Sequence, residues 1–76
     1  MSESELEDEL RRMTNHGNTI RRRDTMVLLF GIRFAGELKD SELRDRLAQR
    51  VLGRKSGNTI QMGCKLAPYV TVTGDI

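Results

Sequence analysis

Apolar residues in this chain recur at intervals of three and four. Leu6, Leu10 and Met13 do so first, then Val27, Phe30, Phe34 and Leu38, then Leu43, Leu47 and Val51. An α-helix turns every 3.6 residues, so each set lies on one face, and short runs of turn-forming residues separate the sets. The spacing predicts a mainly α fold, a small helical bundle of three to four helices. A short C-terminal β-strand is expected to follow, because Tyr69-Val70-Thr71-Val72-Thr73 alternates apolar and polar-branched residues.

The helix ends are marked by their capping residues. Ser2 with Glu5, and Ser4 with Glu7, have capping-box spacing, so an amphipathic helix is expected over about 4–13. Thr14 to Asn18, with Gly17 inside, reads as a break. The next helix ends near Ala35-Gly36. Either Asn18 or Thr19 caps its start, or Asp24 and Thr25 start it later and leave Arg21, Arg22 and Arg23 in an arm or first turn. Asp40 or Ser41 caps a third helix over 40–52, which Gly53 ends. Asp40–Arg44 and Glu42–Arg46 are i,i+4 pairs that would neutralise part of its charge. A basic turn from Gly53 to Asn58 leads to a last helix, about 59–67, capped by Asn58 or Thr59 and closed by Pro68. Residues 1–18 thus read as an acidic N-terminal helix and turn, and 19–76 as a helical domain with a C-terminal strand. Gly-Asn-Thr-Ile occurs at 17–20 and again at 57–60. A turn followed by a helix cap explains both copies without a structural repeat.

With 76 residues the chain is one small domain, and 37% of them are apolar. At that size burial barely outweighs ordering entropy, so a homodimer is expected. One cysteine, Cys64, excludes an internal disulfide framework and fits a reducing, cytoplasmic setting. No apolar run approaches the roughly 20 residues of a membrane span. The acidic start is unlike a signal or transit peptide.

Little here supports catalysis. His16 and Cys64 are each the only one of their kind; Cys64 lies in an apolar stretch, as a small core residue would, and His16 in a Gly/Asn turn. They supply no zinc ligand set, and no Gly-rich phosphate loop is present. Glu3 to Glu9 spread around a helix rather than converge on a cation, and they complement its dipole. The expectation is a protein with no catalytic residues, no metal and no cofactor.

Charge is unevenly placed. Residues 1–13 hold five acidic and two basic side chains; residues 14–76 hold six acidic and eleven basic ones. Ten of the thirteen bases are arginine, whose planar fork suits phosphates and base edges. Arg21, Arg22 and Arg23 form one cluster, and Arg54 with Lys55 a second.

The stretch Gly36-Glu37-Leu38-Lys39-Asp40-Ser41-Glu42-Leu43-Arg44-Asp45-Arg46-Leu47-Ala48, followed by a helix from Asn58 to Ala67, resembles helix-turn-helix and winged-helix DNA-binding domains. The resemblance covers about 45 residues. It implies that Asn58-Thr59-Ile60-Gln61-Met62-Gly63-Cys64-Lys65-Leu66-Ala67 falls where a recognition helix would. Within it, Ile60, Gly63, Cys64 and Ala67 form a narrow apolar face, where Gly63 and Cys64 would permit close helix crossing. Asn58, Gln61 and Lys65 form a polar stripe able to meet base edges. Arg21, Arg22, Arg23, Arg54 and Lys55 would meet phosphates. The chain departs from the pattern in a long connection between Leu52 and Asn58 and in having one wing strand where two are usual.

The function expected is that of a dimeric, non-catalytic transcriptional regulator acting on double-stranded DNA. The competing reading is a helical protein-interaction module that docks a partner through residues 4–13. RNA binding is disfavoured by the scarcity of aromatics for base stacking.

Overall fold

A computed structural model describes residues 1–54 and 56–73. Four α-helices account for most of them: α1, Glu3–Ile20; α2, Arg23–Arg33; α3, Ser41–Leu47; and α4, Asn58–Leu66. A 3-10 turn, Ala35–Glu37, follows α2, and a π-helical turn, Ala48–Leu52, extends α3.

The start of α1 follows directly from its capping box. Glu5 N donates to Ser2 Oγ at 3.1 Å, and Ser2 N donates to the Glu5 carboxylate at 3.0 Å. The backbone bond from Ser2 is the main reason the Glu5 carboxyl is held below its ordinary pKa. The helix does not stop at Met13, and the break expected over Thr14–Asn18 is absent. Thr14 is buried and its hydroxyl donates to the Leu10 carbonyl, so it continues the helix's inner face. Gly17 is there for close approach, not for a turn. A Cβ on it would lie 2.8 Å from Met26 Cγ and 2.9 Å from Arg23 Cα.

α1 ends in a Schellman motif. Arg22 N donates to Gly17 O at 2.7 Å and Arg21 N to Asn18 O at 3.4 Å. The residue turning the chain is Arg21, at φ 59° and ψ 39°, a left-handed conformation usually given to glycine. α2 therefore takes the later of its two expected starts. Arg21 and Arg22 lie in the turn, and Arg23 opens the helix.

Asp40 caps α3 by accepting from Glu42 N at 3.0 Å. Neither local ion pair expected on this helix forms. Arg44 donates to the Leu38 carbonyl, and Arg46 reaches Glu3 of α1 at 3.0 Å. A carboxylate across the bundle meets the guanidinium fork with both oxygens, a better fit than a neighbour one turn away. Gly53, at φ 69°, ends the π-helical turn. α4 begins one residue earlier than expected, with Gly57 as its N-cap; Gly57 N donates to Asp45 Oδ1 at 2.8 Å.

α2 is the central element, packed on one side by α1 and on the other by α4. Leu6, Leu10, Met13, Met26, Val27, Phe30, Leu38, Leu47, Ala48 and Ile60 form the core. Where α2 crosses α4 the backbones nearly touch. A Cβ on Gly31 would sit 2.3 Å from Ile60 O, and one on Gly63 2.2 Å from Leu28 O. The expected role of Gly63 in a close crossing holds, with Gly31 facing it.

The expected strand at 69–73 does not form, and there is no strand among the described residues. A strand needs a neighbour to satisfy its backbone, and no second run of this kind is available within the chain.

Candidate nucleic-acid interface

Four of the ten arginines are already engaged by the acidic half of α1. Arg11 pairs with Glu7 at 3.2 Å and Arg12 with Glu9 at 2.7 Å. Arg50 meets Glu3 at 2.9 Å and Glu7 at 3.4 Å. The Arg46 hydrogen bond is the largest cause that holds the Glu3 carboxyl below its usual value, and the same bond raises the Arg46 pKa. The acidic residues that open the chain thus neutralise the side of the bundle made by α1 and α3. The apolar stripe of residues 4–13 is spent inside the molecule, since Leu6, Leu10 and Met13 are fully buried in its core.

The opposite end of α1 is different. Arg21, Arg22 and Arg23 make no ion pair among the described residues. With Gly17, Asn18, Asp24 and Thr25 they line an open cleft of about 410 Å³ at the N-terminus of α2. No side chain caps that helix end, and the Arg23 Nε is buried without a hydrogen-bond partner. The exposed peptide N–H groups and the helix dipole add to the positive potential of the arginines.

Arg54 joins this group. Its guanidinium donates to Asp24 Oδ1 at 2.8 Å and reaches Thr59 Oγ1 at 3.5 Å. It therefore links the turn after α3 to the first turns of both α2 and α4. Arg21, Arg22, Arg23 and Arg54 converge on one edge, and Asn58 is exposed where α4 starts beside it. Asp24 takes up part of that charge. Lys55, the other base expected here, lies outside the described residues.

The rest of the expected polar stripe is less uniform. Gln61 is half-buried. Lys65 is exposed, seven residues beyond Asn58, about 10 Å along the helix. Between them on the outward face stands Met62, 58% exposed, with Leu66 beside it at 41%. Sequence reasoning left both unassigned. One signal could have found them: from 56 to 74 the chain holds a single charged side chain, Lys65. The Asp24–Arg54–Thr59 link had no sequence signal, because Asp24 lies 30 residues from Arg54 in the chain.

Cys64 is half-buried and burial pushes its thiol pKa up, opposite to what a reactive thiolate needs. Among the described residues, no three His, Cys, Asp or Glu side chains gather as cation ligands. No helix among them is long and apolar enough to cross a membrane.

A family model described as an HTH-like domain matches residues 2–73. No curated protein and no solved structure matches the chain.

Proposed function

We propose a function from the premise that this chain belongs to the HTH-like domain family: it is a small, non-catalytic DNA-binding protein that acts as a dimeric cytoplasmic regulator of transcription. The observation that carries this reading is the convergence of Arg21, Arg22, Arg23 and Arg54 on one edge beside the start of α4. These four, with Lys55, contact phosphates. Asn58 reads base edges closest to them, and Gln61 and Lys65 follow it along the helix. A two-fold dimer would space its half-sites near one turn of DNA, roughly 34 Å.

The test is a fluorescence titration of the full chain against duplex DNA at two salt concentrations. Binding should weaken steeply with salt. Replacing Arg21, Arg22 and Arg23 together by Ala should cost at least about tenfold in affinity at low salt and lower the salt slope by about 3. Binding that ignores salt, or none at low salt, overturns the reading.

A protein-interaction role is favoured by one observation, the exposed apolar side chains of α4. A partner at residues 4–13 would meet the charged outer face of α1, because the apolar face is buried.

A further inference from the structure

We propose that the outward face of α4 at Met62 and Leu66, together with the run Tyr69–Thr73, is a self-pairing interface that joins two copies of this chain. This assigns a surface to the dimer named above but does not depend on DNA binding.

Among the described residues, six large apolar side chains are exposed, and four of them lie in this one region: Met62, Leu66, Tyr69 (83% exposed) and Val70. Met62 and Leu66 are one helical turn apart, and Tyr69 follows in the turn closing α4, where its N donates to Leu66 O at 2.9 Å. Beyond it, the backbone of 70–73 forms no hydrogen bond among the described residues. That backbone is open to water along most of its length, and the alternating composition of the run favours exchanging water for the ladder of a neighbouring strand.

A second copy of the same run fits better than a generic partner. Paired antiparallel about Thr71, the run matches itself: Val70 opposes Val72, Thr71 opposes Thr71, and Tyr69 opposes Thr73. β-branched pairs and threonine pairs are favourable directly across two strands. Charge agrees with this. The chain is 32% charged, yet 66–74 carries no charged residue, so two copies meet here without like-charge repulsion. Val70 and Val72 share one face of the run, and Val72 is already half-buried. A two-stranded ribbon is marginal alone, and Met62 and Leu66 supply apolar surface for it to cover. The run also lies within the family match, which extends to Thr73.

Sedimentation equilibrium of the full chain without DNA tests the proposal. A dimer is expected at about 100 µM, with a Kd in the micromolar range. Met62→Lys with Leu66→Lys should give a monomer with unchanged far-UV circular dichroism, since both side chains are exposed. With Tyr69 N held by Leu66 O, the ladder bonds through Val70 and Val72, so Val72→Pro should weaken the dimer about tenfold or more by removing a ladder donor. The Arg21, Arg22 and Arg23 to Ala variant should stay dimeric, which separates this proposal from the DNA-binding one. A wild-type monomer at that concentration, or a dimer that survives both the lysine pair and Val72→Pro, overturns it, whichever other partner this face then meets.

Discussion

The two sides of α2 are packed by different means. Toward α1 the contact is made by long side chains, Leu6, Leu10 and Met13, with a single close approach at Gly17. Toward α4 it is made largely by backbone against backbone at Gly31 and Gly63, with Ile60 the one fully buried large side chain that α4 contributes. The first interface holds through apolar area and tolerates small shifts. The second holds through fit, and little area remains if the fit is lost.

Substitutions can separate the two. Leu10→Ala should have the largest effect, a loss of about 3 to 4 kcal/mol in urea unfolding, because it opens a cavity in the side-chain interface. Gly63→Ala should cost about 2 to 3 kcal/mol. The added Cβ meets the Leu28 carbonyl, which belongs to helix backbone and cannot swing aside. The signature should differ as well: hydrogen exchange should speed up in α4 alone, whereas Leu10→Ala should loosen all four helices. Equal protection changes in both variants would erase the distinction.

Gly17→Ala probes the intermediate case. Its nearest neighbours are Met26 Cγ, which can move, and Arg23 Cα, which moves only with its helix. Overlap should outweigh the better helix propensity of alanine and leave a net loss of about 1 kcal/mol by thermal unfolding.

The smallest effect should come from acid. Glu3 is held below its ordinary value of 4.5 by Arg46 and Arg50 in the folded chain. A lowered folded pKa adds stability that is present above the unfolded value and is lost as pH falls through the folded one. Stability should therefore begin to drop below about pH 4.5. Glu3→Gln should reduce that acid-dependent part, and so should high salt, since the pair is only half-buried.

The legible parts of the fold were those with local causes. Ser2 with Glu5, Asp40 with Glu42 and Gly53 after α3 all act within one turn of chain, so their spacing announces them. Gly17 was misread because a glycine that bends a chain and a glycine that lets another helix approach are the same letter. The difference is Met26, nine residues away. The alternation at 69–73 records a preference for pairing and cannot say whether the chain supplies the partner. At the candidate site, the cluster Arg21–Arg23 was visible as a run. Arg54 joins it only through Asp24 and Thr59, and Arg21–Arg23 make no ion pair among the described residues because α1 holds its carboxylates at the far end of the helix.

Arg21 carries one more consequence. A left-handed residue other than glycine costs on the order of 1 kcal/mol or more. Replacing it with glycine should tighten the end of α1 while removing a cation from the basic edge. Fold stability and attraction for a polyanion are therefore set against each other at a single backbone angle. On the proposed function, a version of this protein stabilised by relieving its one positive-φ residue other than glycine among those described should be the weaker ligand for DNA.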